Sequence, residues 1–319
     1  MNLELSINSI DDLMRCVNLA SLLELSGWPK PGNVHRTQNF KDTRFEHFLA
    51  GIVAIQPNFK KFCNNVYKDS KKIDEKYSYV KLGLFFREAA KEMMKWQKGG
   101  NVLLGHILIL GPLVAAAAIC LKCNAVKFKN FAYNIKKVIN DSTVEDTINL
   151  YEAIRICNPG GLGRIDKYDI HDIDSTTNIK KDNINLKRIF ELSKDYDLIS
   201  SEYSSGFAIV LNKGLPFYFD TFNQTNDINI ATVNTFLKIL SEHPDTLIIR
   251  KSGIIDAQNI SQKADKIMKK GGISTQAGLK LIKELDNILH EKDGKLNPGT
   301  TADIIAGIIF CTLLFGLRF

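Results

Sequence analysis

The chain has 319 residues, 45% of them hydrophobic and 24% charged, with a formal net charge of +7. That is a globular composition with enough chain for a large core. The charge is modest and no dense basic run with interleaved aromatics appears, so an anionic small-molecule ligand is expected and no nucleic acid.

Helical signals dominate from the first segment onward. Leu13, Cys16, Val17, Ala20 and Leu23 recur at helical spacing. Asp11 is a fair N-cap, and Pro29 ends the segment because the residue before a proline avoids the helical region. Residues 45–53 and 79–96 read as further helices, the second stopped by Gly99-Gly100. Segments 102–121 and 304–317 are apolar enough to suggest a membrane. The second is too short to span, and the first reads as a fully buried core helix, so no membrane partner is expected. Segments 144–157, 185–196, 228–242, 261–269 and 275–290 follow the helical pattern. Residues 207–219 are ambiguous, being rich in β-branched and aromatic residues, and 172–183 read as a polar surface loop. The expectation is an all-α fold, one domain over 1–319, with functional loops at helix ends.

Six cysteines offer only one C-x-x-C pair, Cys120 and Cys123, and no second pair at zinc spacing. Buried, reduced thiols are expected. The first ten residues do not read as a secretory signal, which predicts a cytoplasmic protein.

Glu24 falls on the apolar stripe of its helix and near the C-terminus, where the macrodipole disfavours an anion. It needs a partner: an ion pair with Lys30 or Arg36, or a ligand group. The stretch WPKPGNVHR follows. Its prolines restrict the backbone, Gly32 permits close approach, and Lys30, His35 and Arg36 supply donors. It reads equally as a helix stop or an anion site. In GGNVLLG, two glycines and Asn101 precede an apolar helix, an end that suits phosphate. His106 lies inside that helix as a core histidine or a ligand. RIDKYDIHDID gathers Asp166 and Asp169 among other carboxylates, either a solvated acidic loop or a Mg²⁺ site. In NPGTTADIIAG, the Thr300/Asp303 spacing resembles a helix cap, and Asp303 is placed for either capping or catalysis.

Six stretches in order, from LLELSGWPKPGNVHR through KDTRFEHF, GGNVLLG, EYSSGFAIVLNKGLP and HPDTLIIRKSG to LNPGTTADIIAG, resemble the ATP:dephospho-CoA triphosphoribosyltransferase family. The resemblance runs from Leu22 to Gly307. It implies an all-α fold and transfer of the 5-triphosphoribosyl group of ATP to the 2′-hydroxyl of 3′-dephospho-CoA, with adenine released. It carries Glu24, Lys30, Pro31, Gly32 and Arg36 from the first motif. Asn101 and Gly105, then Glu202, Gly206 and Phe207, match the next two. Asp245, Arg250 and Gly253, and finally Pro298, Gly299 and Asp303, match the last two. The chain departs from bacterial members at Asn33 and His35, has Val102, Leu103 and Leu104 where they have Thr-His-Lys, and reads PGTTAD for PGGSAD. These departures suggest an archaeal-type member and leave the acceptor more open than the ATP side.

The mechanism so implied puts a carboxylate near the ribose C1′, with Glu24, Glu202 and Asp303 as the catalytic candidates. Lys30, Gly32, His35, Arg36, Asn101 and Arg250 are expected to bind the triphosphate. Mg²⁺, held partly by Asp166, Asp169 and Asp245, is expected to neutralise it. The alternatives are a Mg²⁺-dependent nucleotide hydrolase and a non-catalytic nucleotide-binding protein.

Overall fold

A computed structural model of the chain describes residues 3–319. Fifteen α-helices account for most of the described residues, which contain no strand. The first is α1 (Ile10–Ser26), capped by the Ser9 hydroxyl on the Asp12 N–H and not by Asp11. The Gly27 N–H returns to the Glu24 carbonyl at its other end. Next come α2 (Phe45–Asp69), longer than its sequence signal, and α3 (Leu82–Trp96). The apolar α4 (Leu104–Lys122) follows, then α5 (Phe128–Asn140) and α6 (Val144–Cys157).

The stretch read as a surface loop holds a short helix, α7 (Ser175–Lys181), whose Ser175 and Ile179 are buried. After it come α8 (Leu186–Ser193) and α9 (Leu198–Ser205). The ambiguous 207–219 segment is helical from Ala208 onward, after a left-handed bend at Phe207 (φ +65): a π-helical turn (Ile209–Gly214) runs directly into α10 (Leu215–Thr225). Pro216 sits in the first turn of α10, where a missing N–H does no harm. The chain ends with α11 (Ile228–Glu242), α12 (Thr246–Ser252), α13 (Ile254–Lys269), α14 (Gln276–His290) and α15 (Gly299–Leu314).

One continuous hydrophobic cluster runs through the described residues from Leu5 to Leu317. α4 and α15 lie at its centre, each touching α1 and each other, with α2, α3 and α5 also packed on α4. α4 is long and apolar enough to cross a membrane, yet 89% of its apolar window is buried inside the protein. Its alanine run, Ala115 to Ala118, is fully buried and lets neighbouring helices approach closely. Each Leu or Ile that these helices bury contributes about 1.5–3 kcal/mol relative to exposure. A core this apolar has a consequence for function: any ionisable side chain that α1, α4 or α15 turns inward must find a partner there.

All six cysteines are free thiols, and only Cys123 is partly exposed.

Candidate active site

Three helices turn an ionisable side chain to one place. Glu24 comes from the last turn of α1, His106 from the first turn of α4, and Asp303 from just past the first turn of α15. Asp303 Oδ1 accepts from His106 Nδ1 at 2.7 Å. His106 Nε2 lies 3.2 Å from Glu24 Oε2, an ion-pair distance at an angle that misses a hydrogen bond. Lys30 closes the group by donating to the Glu24 carboxylate and, at 2.8 Å, to its backbone carbonyl. The set therefore balances two anions against two cations in a volume from which water is largely excluded.

The proton positions follow. Burial opposes ionisation of Glu24, but Lys30 and His106 outweigh it and hold its carboxyl below the ordinary range. Burial alone would lower the His106 imidazole, yet Asp303 and Glu24 push it up to about 9. Burial raises the Asp303 carboxyl, and His106 offsets only part of that rise. At neutral pH the centre is an imidazolium between a firmly ionised Glu24 and a more basic Asp303.

Because the folded His106 value lies above its ordinary 6.5, its contribution to stability is full below about 6.5 and is lost as pH rises through about 9. Denaturant midpoints measured from pH 6 to 10 should therefore fall more steeply for the wild type than for His106→Gln. Parallel profiles would contradict the assignment.

These side chains line a cavity of about 470 Å³. Its polar end also receives Asn33, Asn101, Asn297 and Arg250; its far walls are apolar and aromatic, including Tyr151, Phe190 and Tyr196. Two buried polar atoms of the lining, Asn33 Oδ1 and Arg250 Nε, have no hydrogen-bond partner among the described residues. Buried polar groups are nearly always satisfied, so a ligand in the cavity is the natural partner for both. Gly105 is needed for the centre to exist. A Cβ there would lie 1.8 Å from Asp303 Oδ2, so any side chain would drive the carboxylate out.

The structure sorts the remaining candidates. Asn101 lines the cavity, and its Oδ1 accepts from the Leu104 N–H at 3.1 Å to start α4. Arg250 lines it too, with one guanidinium nitrogen held 2.9 Å from Asp197. Gly32 and His35 do not line the cavity. The Gly32 N–H and the His35 ring both meet Asp286 of α14, each at 2.9 Å. Gly32 has φ +78, and a Cβ would lie 2.8 Å from Leu289. Despite burial, His290 and His35 hold the Asp286 carboxyl at about 2, so this anchor stays charged. Arg36 is exposed and spends its Nε on the Ser26 carbonyl at 2.6 Å, away from the cavity lining.

Glu202 is placed elsewhere as well. It is fully buried in α9, and its two carboxylate oxygens accept from the Ile209 and Val210 N–H groups at 2.8 and 2.9 Å. It stitches α9 to the π-helical turn and does not line the cavity. Burial pushes its carboxyl up to about 7. Glu202→Ala strands two buried donors and should lower stability by about 1–3 kcal/mol, while the turnover of the folded fraction stays near wild type. A large turnover loss without destabilisation would return Glu202 to the chemistry.

The three expected metal ligands do not form a ligand set. Asp245 caps α12 through Leu247 and Ile248 and takes the Thr301 N–H and hydroxyl with its other oxygen. Asp169 accepts from the Ile165 and His171 N–H groups, and Asp166 is exposed in the same loop. Among the described residues, no three His, Cys, Asp or Glu side chains converge to hold a metal ion. Of the two roles left open for Asp303, capping is not the one it takes: α15 has no side-chain cap, and the carboxylate goes to His106.

His106 is the buried cavity side chain whose role the sequence leaves undecided. Its signal was present, since an imidazole on an otherwise apolar, fully buried helix needs polar partners.

Comparison with known proteins gives the family. The family model described as "CitG: ATP:dephospho-CoA triphosphoribosyl transferase" matches residues 10–318. A Vibrio cholerae protein named "Probable 2-(5''-triphosphoribosyl)-3'-dephosphocoenzyme-A synthase" is 26% identical over 293 residues, covering 90% of this chain and 83% of that protein. Protein CitXG of Leuconostoc mesenteroides is 26% identical over 305 residues, which are 92% of this chain and 57% of that longer one. A crystal structure from Archaeoglobus fulgidus, provisionally described as a triphosphoribosyl-dephospho-CoA synthase, superposes with a TM-score of 0.64. It is 28% identical and covers 86% of this chain and 100% of its own. With a match over nearly its whole length, the chain belongs to the ATP:dephospho-CoA triphosphoribosyl transferase family.

Proposed function

We propose that the chain is a transferase that moves the 5-triphosphoribosyl group of ATP to the 2′-hydroxyl of 3′-dephospho-CoA, or of a closely related acceptor, and releases adenine. The observation that carries this reading is the Glu24–His106–Asp303 arrangement at the buried end of a cavity with apolar and aromatic walls.

The reaction breaks the bond from C1′ to adenine and forms one from C1′ to the acceptor oxygen. Positive charge builds on the ribose as adenine departs, and a carboxylate stabilises it, as in glycoside hydrolysis. Asp303 suits contact with the reacting centre, being the least enclosed of the three, with a side chain 18% exposed. Its raised carboxyl makes it the better base for the 2′-hydroxyl proton. Adenine gains one proton as it leaves, so the balance closes without a further reactant. His106 and Glu24 act behind Asp303: the imidazolium fixes one of its oxygens, and Glu24 keeps the imidazole charged.

Mg²⁺ enters this reading as a counterion carried by the phosphate oxygens, because the aspartates expected to hold it are spent on backbone N–H groups or exposed. No step depends on it.

The test is incubation with ATP, with and without dephospho-CoA, while following adenine. Adenine that appears only with the acceptor supports the transferase. Adenine or phosphate from ATP alone indicates a hydrolase, and binding without any release indicates a non-catalytic protein.

A further inference from the structure

The phosphates are the part of the substrate the main cavity serves worst. Two of its cations are already engaged, Lys30 by Glu24 and Arg250, through one of its terminal nitrogens, by Asp197. A second cavity, of about 520 Å³, adjoins it and shares Ile165, Lys167, Tyr168, Leu192 and Tyr196 with it. Here three cations, Arg164, Lys167 and Arg188, stand against one acid, Asp166. Among the described residues no carboxylate lies at ion-pair distance from Arg164 or Lys167, and Arg188 meets only Glu191 of its own helix, at 3.3 Å in solvent. Such an exposed pair is weak and easily exchanged for a phosphate.

The backbone that carries these cations is fixed. Both Asp169 carboxylate oxygens accept from the loop, from the Ile165 N–H at 2.8 Å and the His171 N–H at 2.7 Å. The Tyr151 hydroxyl donates to the Tyr168 carbonyl at 2.6 Å, and Arg155 Nε to the Ile170 carbonyl at 2.9 Å. Arg164 and Lys167 thus project from an ordered wall.

The stretch NPGGLGR enters this wall. Gly161 has φ +81, which explains it as a turn residue. Gly160 and Gly163 have no such φ. A Cβ on Gly163 would meet nothing within 4 Å, and one on Gly160 would meet only Lys251 Cε at 3.6 Å. Neither conformation nor packing within the chain calls for glycine at these two positions. Gly163 lines the main cavity next to Arg164 of the groove, and its bare backbone leaves room for a ligand to come close where the two cavities adjoin.

We propose that this basic groove, with Arg164, Lys167 and Arg188 beside the glycine-rich loop, is the subsite for the phosphate chain of a nucleotide, and that the shared apolar wall spans from it to the reacting end. Arginine grips two phosphate oxygens at once and lysine adds a mobile point charge. The identity of the nucleotide rests on the transferase reading. Two sources share this chemistry, the triphosphate of ATP and the diphosphate of the acceptor.

Calorimetry on the full chain, with inorganic tripolyphosphate, ATP and dephospho-CoA as separate probes, tests the groove. The variant Arg164→Ala/Lys167→Ala/Arg188→Ala removes three exposed side chains, and circular dichroism checks its fold. Its affinity for tripolyphosphate should fall at least about tenfold and lose most of its salt dependence. A parallel fall for ATP assigns the donor triphosphate to the groove, and one for dephospho-CoA assigns the acceptor diphosphate. Gly163→Val keeps every charge and adds bulk where no protein atom lies within 4 Å. It should weaken the same ligand. Unchanged affinities in the triple variant, or no binding of any probe by the wild type, overturn the proposal. Adenine release by the wild type, measured in parallel, separates the two readings. Unchanged affinities beside a working transferase remove the groove alone; tripolyphosphate binding through the groove without transfer removes the transferase alone.

Discussion

Asp303→Asn should lower adenine release by roughly 10²–10⁴-fold, the usual span for loss of a positioned acid or base, and leave the fold intact. The substitution is nearly isosteric. The asparagine carbonyl can still accept from His106 Nδ1, now 2.7 Å from the carboxylate, so the cavity keeps its shape. What disappears is the negative charge proposed to face C1′ and the proposed acceptor of the hydroxyl proton. ATP binding should not weaken, because a carboxylate only repels the phosphates. Steady-state adenine release and a thermal melt, measured together, check this. Turnover within about threefold of wild type, with a normal melt, would remove Asp303 from the chemistry.

The second large effect is on stability. Lys30 is 1% exposed and Glu24 2%, and the two are paired. Lys30→Met should cost about 3–5 kcal/mol, because it leaves a buried carboxylate with only the imidazolium beside it. Replacing both partners, in Lys30→Met with Glu24→Leu, should recover much of that loss, since an apolar pair of similar volume has no charge to strand. Urea unfolding of the two single variants and the double variant supplies the cycle. A loss below about 1 kcal/mol in Lys30→Met would mean that the pair is not coupled.

Much of the fold was legible because helical periodicity is a local signal. It placed most of the long helices and identified 102–121 as a buried helix, which the structure shows as α4 at the core. α5 was missed although its buried Phe131, Ile135, Val138 and Ile139 recur at helical spacing; its polar face of Lys and Asn masked the pattern. The 207–219 segment misled because β-branched and aromatic residues favour strands only weakly, and packing on α15 and α11 decides otherwise.

The site was legible in part. Glu24 could be singled out because a carboxylate on an apolar stripe needs a partner, and the structure supplies Lys30 and His106. The bond between His106 and Asp303 joins residues 197 positions apart, and only the packing of α4 against α15 creates it. No local pattern encodes such a contact. Glu202 shows the converse. Its motif was visible, but a motif does not say which way a carboxylate faces, and here it faces two backbone donors. The stretch WPKPGNVHR divides in the same way. Lys30 and Asn33 reach the cavity, whereas Gly32 and His35 fasten the loop to Asp286.

The central claim is that the ribose moves with its phosphates attached. The most direct measurement is the mass and label of the product formed from ATP labelled in the γ-phosphate with dephospho-CoA as acceptor. A CoA product heavier by one triphosphoribosyl group, carrying the label, with free adenine in equal amount, is the predicted result. Label released as free phosphate or pyrophosphate, with adenine still attached to ribose, would contradict it.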